Sequence, residues 1–332
     1  MTMNQIKSTP PVALLSESVC EQIVGRKEAF SAVENVFAAM ANGDAYNFPV
    51  VREAIGHANA LYGFKSGFDK AGLTLGVKSG GYWPDNAAQG LTNHQSTVIL
   101  FDPDTGQLRA LVGGNYLTAV RTAASAAVSI AHLARQDAKV LGMVGAGHQS
   151  TFQLRAALEQ RDFEKVVAWN YHPEYLYRLA DVCAELEVSF EAVDQQVLGA
   201  QADVIITITS AYEPLLMLDW IKPGCHIACM GTDTVGKQEV DANLVAKASL
   251  FTDEVAQSIS LGEAQHAFTN GLITQSDITP IGKVISGLHG GRSDDSEITL
   301  FDGTGVGLQD LAVAAVATDI AVRDKLAQLV CF

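Results

Sequence analysis

The chain is 332 residues long, 48% apolar and 18% charged, with a formal net charge of −15. That size and composition describe an ordinary globular protein with one large core or two moderate ones. The negative charge argues against a nucleic-acid backbone or an anionic membrane as partner, and an anionic small molecule would need a local cluster of Lys or Arg.

Read from the start, MTMNQIKSTPP lacks the apolar core of a signal peptide. No apolar run reaches the 18 residues of a membrane span, so a cytoplasmic location is expected. Residues 28–42 carry Phe30, Val33, Phe37 and Met40 at helical spacing, and Gly43 stands where a C-terminal cap would. Beyond Pro49 come short apolar runs with turn punctuation: LTLGVKSGG (73–81), STVILFD (96–102) before the turn DPDTG, and LRALVGG (108–114). These read as an antiparallel sheet. From Leu117 to Leu133 the chain is an Ala-rich helix.

Strand-like and helical segments then alternate. AKVLGMVG (138–145) precedes a helix over roughly 149–160, and KVVAWN (165–170) precedes a helix opened by Pro173. DVIITIT (203–209), CHIACMG (225–231) and SLFTDE (249–254) are further β-rich runs. Such alternation specifies parallel strands with crossover helices. The five cysteines, Cys20, Cys183, Cys225, Cys229 and Cys331, are an odd number in apolar contexts and read as buried reduced thiols. Cys183 shares a helical stripe with Leu176, Leu179 and Leu186. Cys225, His226 and Cys229 resemble a metal cluster only superficially. Alternation there fits a strand, no second ligand pair follows, and no metal is expected. The last long helix, VGLQDLAVAAVATDIAVRDKLAQ, is expected to leave the parallel sheet and pack back on the first domain, making that domain discontinuous.

Gly145-Ala146-Gly147-His148-Gln149-Ser150 follows an apolar strand directly and opens a helix. Gly145 allows the tight turn, Gly147 lets the backbone approach a pyrophosphate, and Ser150 permits close helix–strand packing. The helix N-terminus then offers free N–H groups to phosphates. An ordinary βα turn is the competing reading, but the strand before, the helix after and the next strand some 20 residues on favour a dinucleotide. At the end of that next strand an acid would favour NAD and an arginine NADP. Asn170-Tyr171-His172 is neither; Asn170 can still bond a ribose, and the missing arginine favours NADH, with NADPH left open.

Three segments concentrate polar groups. Lys78 closes an apolar strand, ahead of Pro84-Asp85-Asn86 and His94-Gln95. Arg121 interrupts an Ala-rich helix, where it needs a carboxylate or phosphate. Met230-Gly231-Thr232-Asp233 ends a strand, where open α/β sheets bind ligands. Singly, each has a plainer explanation: a surface lysine, an internal salt bridge, a helix cap.

Together, GVKSGGYWPDN, GLTNHQ, DPDTGQLRALV, TAVRTAAS, VGAGHQS, MGTDTVGKQEVD and ITLFDGTGVGLQDLA resemble the ornithine cyclodeaminase/mu-crystallin family, in order, from about residue 25 to 325. The resemblance implies an α/β fold: a Rossmann-type parallel-sheet domain, residues 135–305, and a discontinuous α+β substrate-binding and dimerisation domain, residues 1–134 and 306–332. It implies a homodimer and an active site in the cleft between domains. By motif position, Lys78 and Arg121 hold the substrate α-carboxylate, joined by Arg52, while Asp233 is the catalytic aspartate and Lys78 a candidate proton relay. The cofactor candidates are Thr122, Gly145, Ala146, Gly147, His148, Gln149, Asn170, Thr209, Ser210 and Gly231.

The family includes cyclodeaminases, imine reductases, amino-acid dehydrogenases and crystallin-like binding proteins. A cyclodeaminase supplies an acid for the distal ammonium of ornithine; the corresponding stretch here places Gly63, Phe64 and Lys65, with Asp69 a few residues on. If Lys65 faces the site it repels an ammonium and attracts a second carboxylate. The expectation is therefore a small, dicarboxylic imino acid as substrate, with iminosuccinate reduced to L-aspartate by NADH. An ornithine cyclodeaminase and a crystallin-like binding protein are the alternatives.

Overall fold

The structure, a computed structural model, describes residues 10–331. The N-terminal reading above, as far as Thr9, lies outside the described residues. Two compact units emerge. The first holds the residues up to Ala32, Gly43–Thr118, and the chain from Gly307 on; the second holds Val33–Asn42 and Ala119–Val306.

In the first unit, β1 (Val12–Leu15) and α1 (Glu17–Ile23) lead to α2 (Arg26–Ala41), whose C-terminal half belongs to the second unit. Gly43 sits just past α2 at φ 78, a left-handed cap that glycine adopts without a Cβ penalty. Then come β2 (Ala45–Asn47), β3 (Val51–Ala54), β4 (Leu61–Asp69), β5 (Thr74–Tyr82), β6 (His94–Phe101) and β7 (Leu108–Gly113). The expected antiparallel meander is present in β4 through β7. The sheet is nonetheless mixed, because β1 pairs parallel with β7. That strand is four residues long, too short to show a periodicity in the sequence.

α3 (Asn115–Leu133) passes from one unit to the other after Thr118. Most of this helix, expected with the first domain, is therefore counted with the second. Its small side chains bury it there: Ser129 bonds His226, and Arg161 donates to the carbonyls of Ile130, Ala131 and Ala134 at the helix end.

The second unit continues with β8 (Val140–Val144), α4 (Ser150–Leu158) and β9 (Lys165–Trp169). Pro173 opens a short 3₁₀ turn before α5 (Tyr177–Glu185) rather than the helix itself. β10 (Ser189–Ala192), α6 (Gln195–Gln201), β11 (Val204–Thr207), β12 (Tyr212–Leu216), β13 (His226–Cys229) and β14 (Gln238–Val240) follow. The remainder is α7 (Ala242–Lys247), β15 (Ser249–Thr252), α8 (Val255–Ser258), α9 (Gln265–Thr269), β16 (Ile278–Pro280), α10 (Ile281–Ile285) and β17 (Thr299–Asp302). Eight strands form one sheet in the order β10-β9-β8-β11-β13-β17-β15-β16, every neighbour parallel. β11, β13 and β17 are buried along their whole length, as strands covered by helices on both faces must be.

The chain returns to the first unit as α11 (Gly307–Arg323), which packs on β4, β5 and β6, and ends in β18 (Gln328–Val330) antiparallel to β1. Cys20, Cys183, Cys225 and Cys229 are buried, but Cys331 is exposed, against expectation, because it follows an edge strand. Leu186 is likewise exposed: it is the C-terminal cap of α5, where the helix ends. No described helix is long and apolar enough to cross a membrane.

Candidate active site

In the first unit, antiparallel register sets Lys65 on β4 directly across from Lys78 on β5. Cross-strand partners share a face of the sheet, here the face that meets α11. Lys78 is 7% exposed and its Nζ lies 2.8 Å from Oδ2 of Asp310, which is fully buried in the first turn of α11. The base of Lys65 lies against Gly307, where an added Cβ would come within 3.1 Å of Lys65 Cβ. Arg52 on β3 is exposed and pairs in register with Gly63, two residues before Lys65. Asp69 is otherwise employed: its Oδ1 accepts the N–H groups of Ala71 and Gly72 and shapes the β4–β5 turn. Thus a net-negative chain builds a sheet face carrying two opposed lysines, with an arginine on the adjoining strand.

The second unit places the glycine-rich turn at the switch point of its sheet, where β8 is flanked by β9 on one side and β11 on the other. Both neighbours stay bonded to its end: Gly145 N–H donates to Trp169 O and Ile208 N–H to Val144 O. Gly145 has φ 111, and a Cβ on it would strike Ile208 O at 2.6 Å. Gly147 is the opposite case, since a Cβ there would meet nothing within 4 Å. The turn therefore presents open backbone at Gly147 and His148, both exposed, ahead of α4. This is a cradle of the kind a pyrophosphate fills. Ser150 does more than permit close packing, because its hydroxyl donates to Gly147 O at 2.7 Å.

Asn170 links the turn to the end of β9, accepting Ala146 N–H on Oδ1 and donating from Nδ2 to His172 O. Arg178 braces the same turn through Ala146 O, its guanidinium stacked 4.8 Å from the Tyr175 ring centre. Arg121 and Thr122 are buried in α3, and the Arg121 guanidinium packs against Gly305. Thr209 and Ser210 follow β11, and Gly231 follows β13. Asp233 is partly exposed; its Oδ1 accepts Lys237 Nζ at 2.8 Å and Thr234 Oγ1 at 3.1 Å. Lys237 also donates to Gly231 O, so one ammonium fixes both the backbone and the carboxylate of this segment.

Residues Cys225–Cys229 are core. Both ring nitrogens of His226 bond hydroxyls, those of Ser129 and Thr299, and burial pulls its pKa down to about 3, so the ring is neutral. Asp310, Arg178 and Lys237 escaped the sequence reading. Asp310 had a usable signal: a carboxylate in an apolar helix raises the same cost argument that singled out Arg121.

The ornithine cyclodeaminase/mu-crystallin family model matches residues 11–325. The chain belongs to that family. The iminosuccinate reductase of Paracoccus denitrificans is 59% identical over 315 residues, 95% of this chain and 98% of that one. The crystal structure of the Paracoccus enzyme in complex with NAD+ superposes with a TM-score of 0.94 at 58% identity, covering 96% and 99% of the two chains. An archaeal alanine dehydrogenase dimer with bound NAD gives a TM-score of 0.92 at 30% identity, over 97% and 99%. Family membership thus spans both units and all seven motifs quoted from the sequence.

Proposed function

We propose that this chain is an NADH-dependent imine reductase that converts iminosuccinate to L-aspartate. The observation that carries the reading is the pair of lysines opposed across β4 and β5, where a cyclodeaminase would present an acid. Two ammonium groups on one face favour a doubly anionic substrate and repel the distal ammonium of ornithine. The Paracoccus iminosuccinate reductase and its NAD+ complex support the same substrate and cofactor.

In this reading Arg52, Lys78 and Arg121 hold the substrate carboxylates, and Lys65 attracts the second one. Asp310 anchors Lys78, so the carboxylate meets a donor already in place, an orientation effect. Asp233 faces the cationic iminium as a carboxylate and stabilises its charge, with Lys237 fixing where that carboxylate stands. Lys78 relays the proton. The turn from Gly145 to Gln149 and the start of α4 hold the dinucleotide pyrophosphate, assisted by Thr122, while Asn170 keeps the turn in shape beside the ribose. Thr209, Ser210 and Gly231 complete the cofactor contacts. NADH, when bound, supplies the hydride. The stretch Asn170-Tyr171-His172 offers no arginine to a 2′-phosphate, which favours NADH over NADPH.

The protein acts as a homodimer in the cytoplasm. The sheet face opposite the lysines exposes Tyr46, Val51, Tyr62 and Phe64, an apolar patch suited to a second copy. The archaeal relative is a dimer. The test is NADH consumption by purified protein with oxaloacetate and ammonium, which form iminosuccinate in solution. Rapid loss of NADH that requires both reagents is expected. Ammonia release from ornithine without NADH loss would overturn the reading in favour of a cyclodeaminase.

A further inference from the structure

Glu239 and Glu263 are among the least exposed residues of the second unit, at 0% and 1%. Neither belongs to the machinery assigned above. Glu239, on β14, accepts four hydrogen bonds. Its Oε1 takes the N–H and the hydroxyl of Thr209 at 2.6 and 2.8 Å; its Oε2 takes the Thr207 hydroxyl at 2.6 Å and the Gly231 N–H at 2.9 Å. One carboxylate therefore ties the end of β11 to the end of β13. Gly231 is where this attachment is tightest: an added Cβ would lie 2.4 Å from both Glu239 Oε1 and Thr209 O.

Glu263 supports Glu239 from behind. Its Oε1 accepts the backbone N–H groups of Glu239 and Val240, both at 2.8 Å, and its Oε2 bonds the Thr232 hydroxyl. Two adjacent buried carboxyls are costly, and a segment needing only closure is served by neutral side chains. The donors decide which carboxyl must be an anion. Each oxygen of Glu239 faces a backbone N–H, which can only donate, so neither oxygen can be replaced by an amide NH₂ without setting it against that N–H. Glu263 has a single oxygen of that kind. Its other oxygen faces only a hydroxyl, which accepts as readily as it donates, so Glu263 can carry a proton there. Burial and the neighbouring Glu239 charge push Glu263 up to about 8, in agreement.

We propose that Glu239 is a positioning residue that sets the backbone of Thr209 and Gly231 for the cofactor and, through the Gly231–Asp233 segment, the place of the catalytic carboxylate. This rests on the reading of those strand ends as the NADH site. A glutamine fits poorly because it sets donor against donor at one of the two loops, whereas a role in folding alone would leave cofactor affinity untouched in any variant that folds.

The test is fluorescence titration of NADH against the full-length protein and its E239Q, E263Q and T207V variants, with circular dichroism to check the fold and steady-state kinetics alongside. E239Q is expected to weaken NADH binding about tenfold or more and to lower kcat, with the KM for iminosuccinate little changed. E263Q is expected to bind NADH within about threefold of the parent. T207V, which removes one buried donor without touching a cofactor contact, is expected to weaken NADH roughly threefold. A folded E239Q with parental NADH affinity and kcat would overturn the proposal even if its Tm fell. Should E239Q fail to fold, T207V decides, and parental NADH affinity in that variant would overturn the proposal. Failure of the parent protein itself to bind NADH would instead refute the cofactor reading on which this rests.

Discussion

Replacing Lys78 by Met separates what the Lys78–Asp310 pair does for the fold from what Lys78 does for substrate. Asp310 is fully buried, and the substitution removes an ammonium 2.8 Å from its Oδ2 while leaving the carboxylate in place. Breaking a buried pair from one side costs about 3–5 kcal/mol. Asp310 lies in the first turn of α11, where the helix dipole returns about 0.3–1 kcal/mol to a negative charge. A net loss of about 3 kcal/mol is therefore expected, read by urea unfolding monitored by fluorescence. Removing the other charge as well, in K78M/D310L, leaves an apolar contact of similar volume and is expected to recover most of that loss. Neither variant should reduce iminosuccinate at more than about a hundredth of the parental rate, because the carboxylate anchor is gone from both. A K78M protein as stable as the parent, or a double variant as unstable as the sum of its parts, would refute the ion-pair argument. Retained turnover in either would refute the substrate role of Lys78.

Gly231→Ala places a Cβ 2.4 Å from Glu239 Oε1 and Thr209 O; unfolding should show a loss of about 1–3 kcal/mol and NADH titration a weaker complex. Glu263 is raised from 4.5 to about 8 and Asp302 from 3.8 to about 7, both chiefly by burial. The folded state therefore keeps protons that the unfolded chain releases, so these groups make stability fall as pH rises from about 4 to 8. E263Q should shallow that decline, with its advantage over the parent growing between about pH 5 and 8 in thermal unfolding; parallel curves would refute the assignment. Asp in place of both Tyr62 and Phe64 puts charge on the exposed apolar face and should give monomers in analytical ultracentrifugation, and unchanged dimers would move the interface elsewhere.

The fold was legible where a single local rule decides. Continuous apolar runs between helical stretches specified the parallel sheet, and Gly145 and Gly147 marked its switch point: at Gly145 a φ of 111 and the nearness of Ile208 O admit no side chain, and at Gly147 the missing side chain leaves the backbone open. β1 stayed invisible, since four apolar residues are too short for periodicity, and its parallel pairing with β7 is a long-range matter. The candidate site divides in the same way. Lys78 and Arg121 stood out because charge in an apolar run has a cost that demands a reason. Glu239 and Lys237 lie in GKQEVD, where charge is unremarkable, and only the fold reveals that one is fully buried and the other clasps Asp233. Ser150, Asn170 and Arg178 show a further limit: sequence says what they can bond, but their partners, Gly147, Ala146 and His172, follow from the shape of the turn.

Net charge and local charge answer different questions. The formal charge of −15 argues against a polyanion, whose many phosphates sample the whole surface. It has less force against a small dianion, because exposed charges beyond about 8 Å are largely screened at physiological ionic strength. What such a ligand meets is the immediate field, and on the face of β4 and β5 that field is set by Lys65 and Lys78 in register together with the Asp310 carboxylate. Like charges directly opposite on a sheet are destabilising. Asp310 meets Lys78 from within the fold, 2.8 Å from its ammonium. A dicarboxylate arriving at the same face relieves repulsion as well as gaining contacts, whereas a monocarboxylate relieves less of it. The ratio of turnover on iminosuccinate to that on iminopyruvate should therefore fall when Lys65 becomes Met, with the loss concentrated in KM for the dicarboxylate. A ratio unmoved by that change would mean that the second carboxylate is held elsewhere, and that the opposed lysines serve the sheet and α11 rather than the choice of substrate.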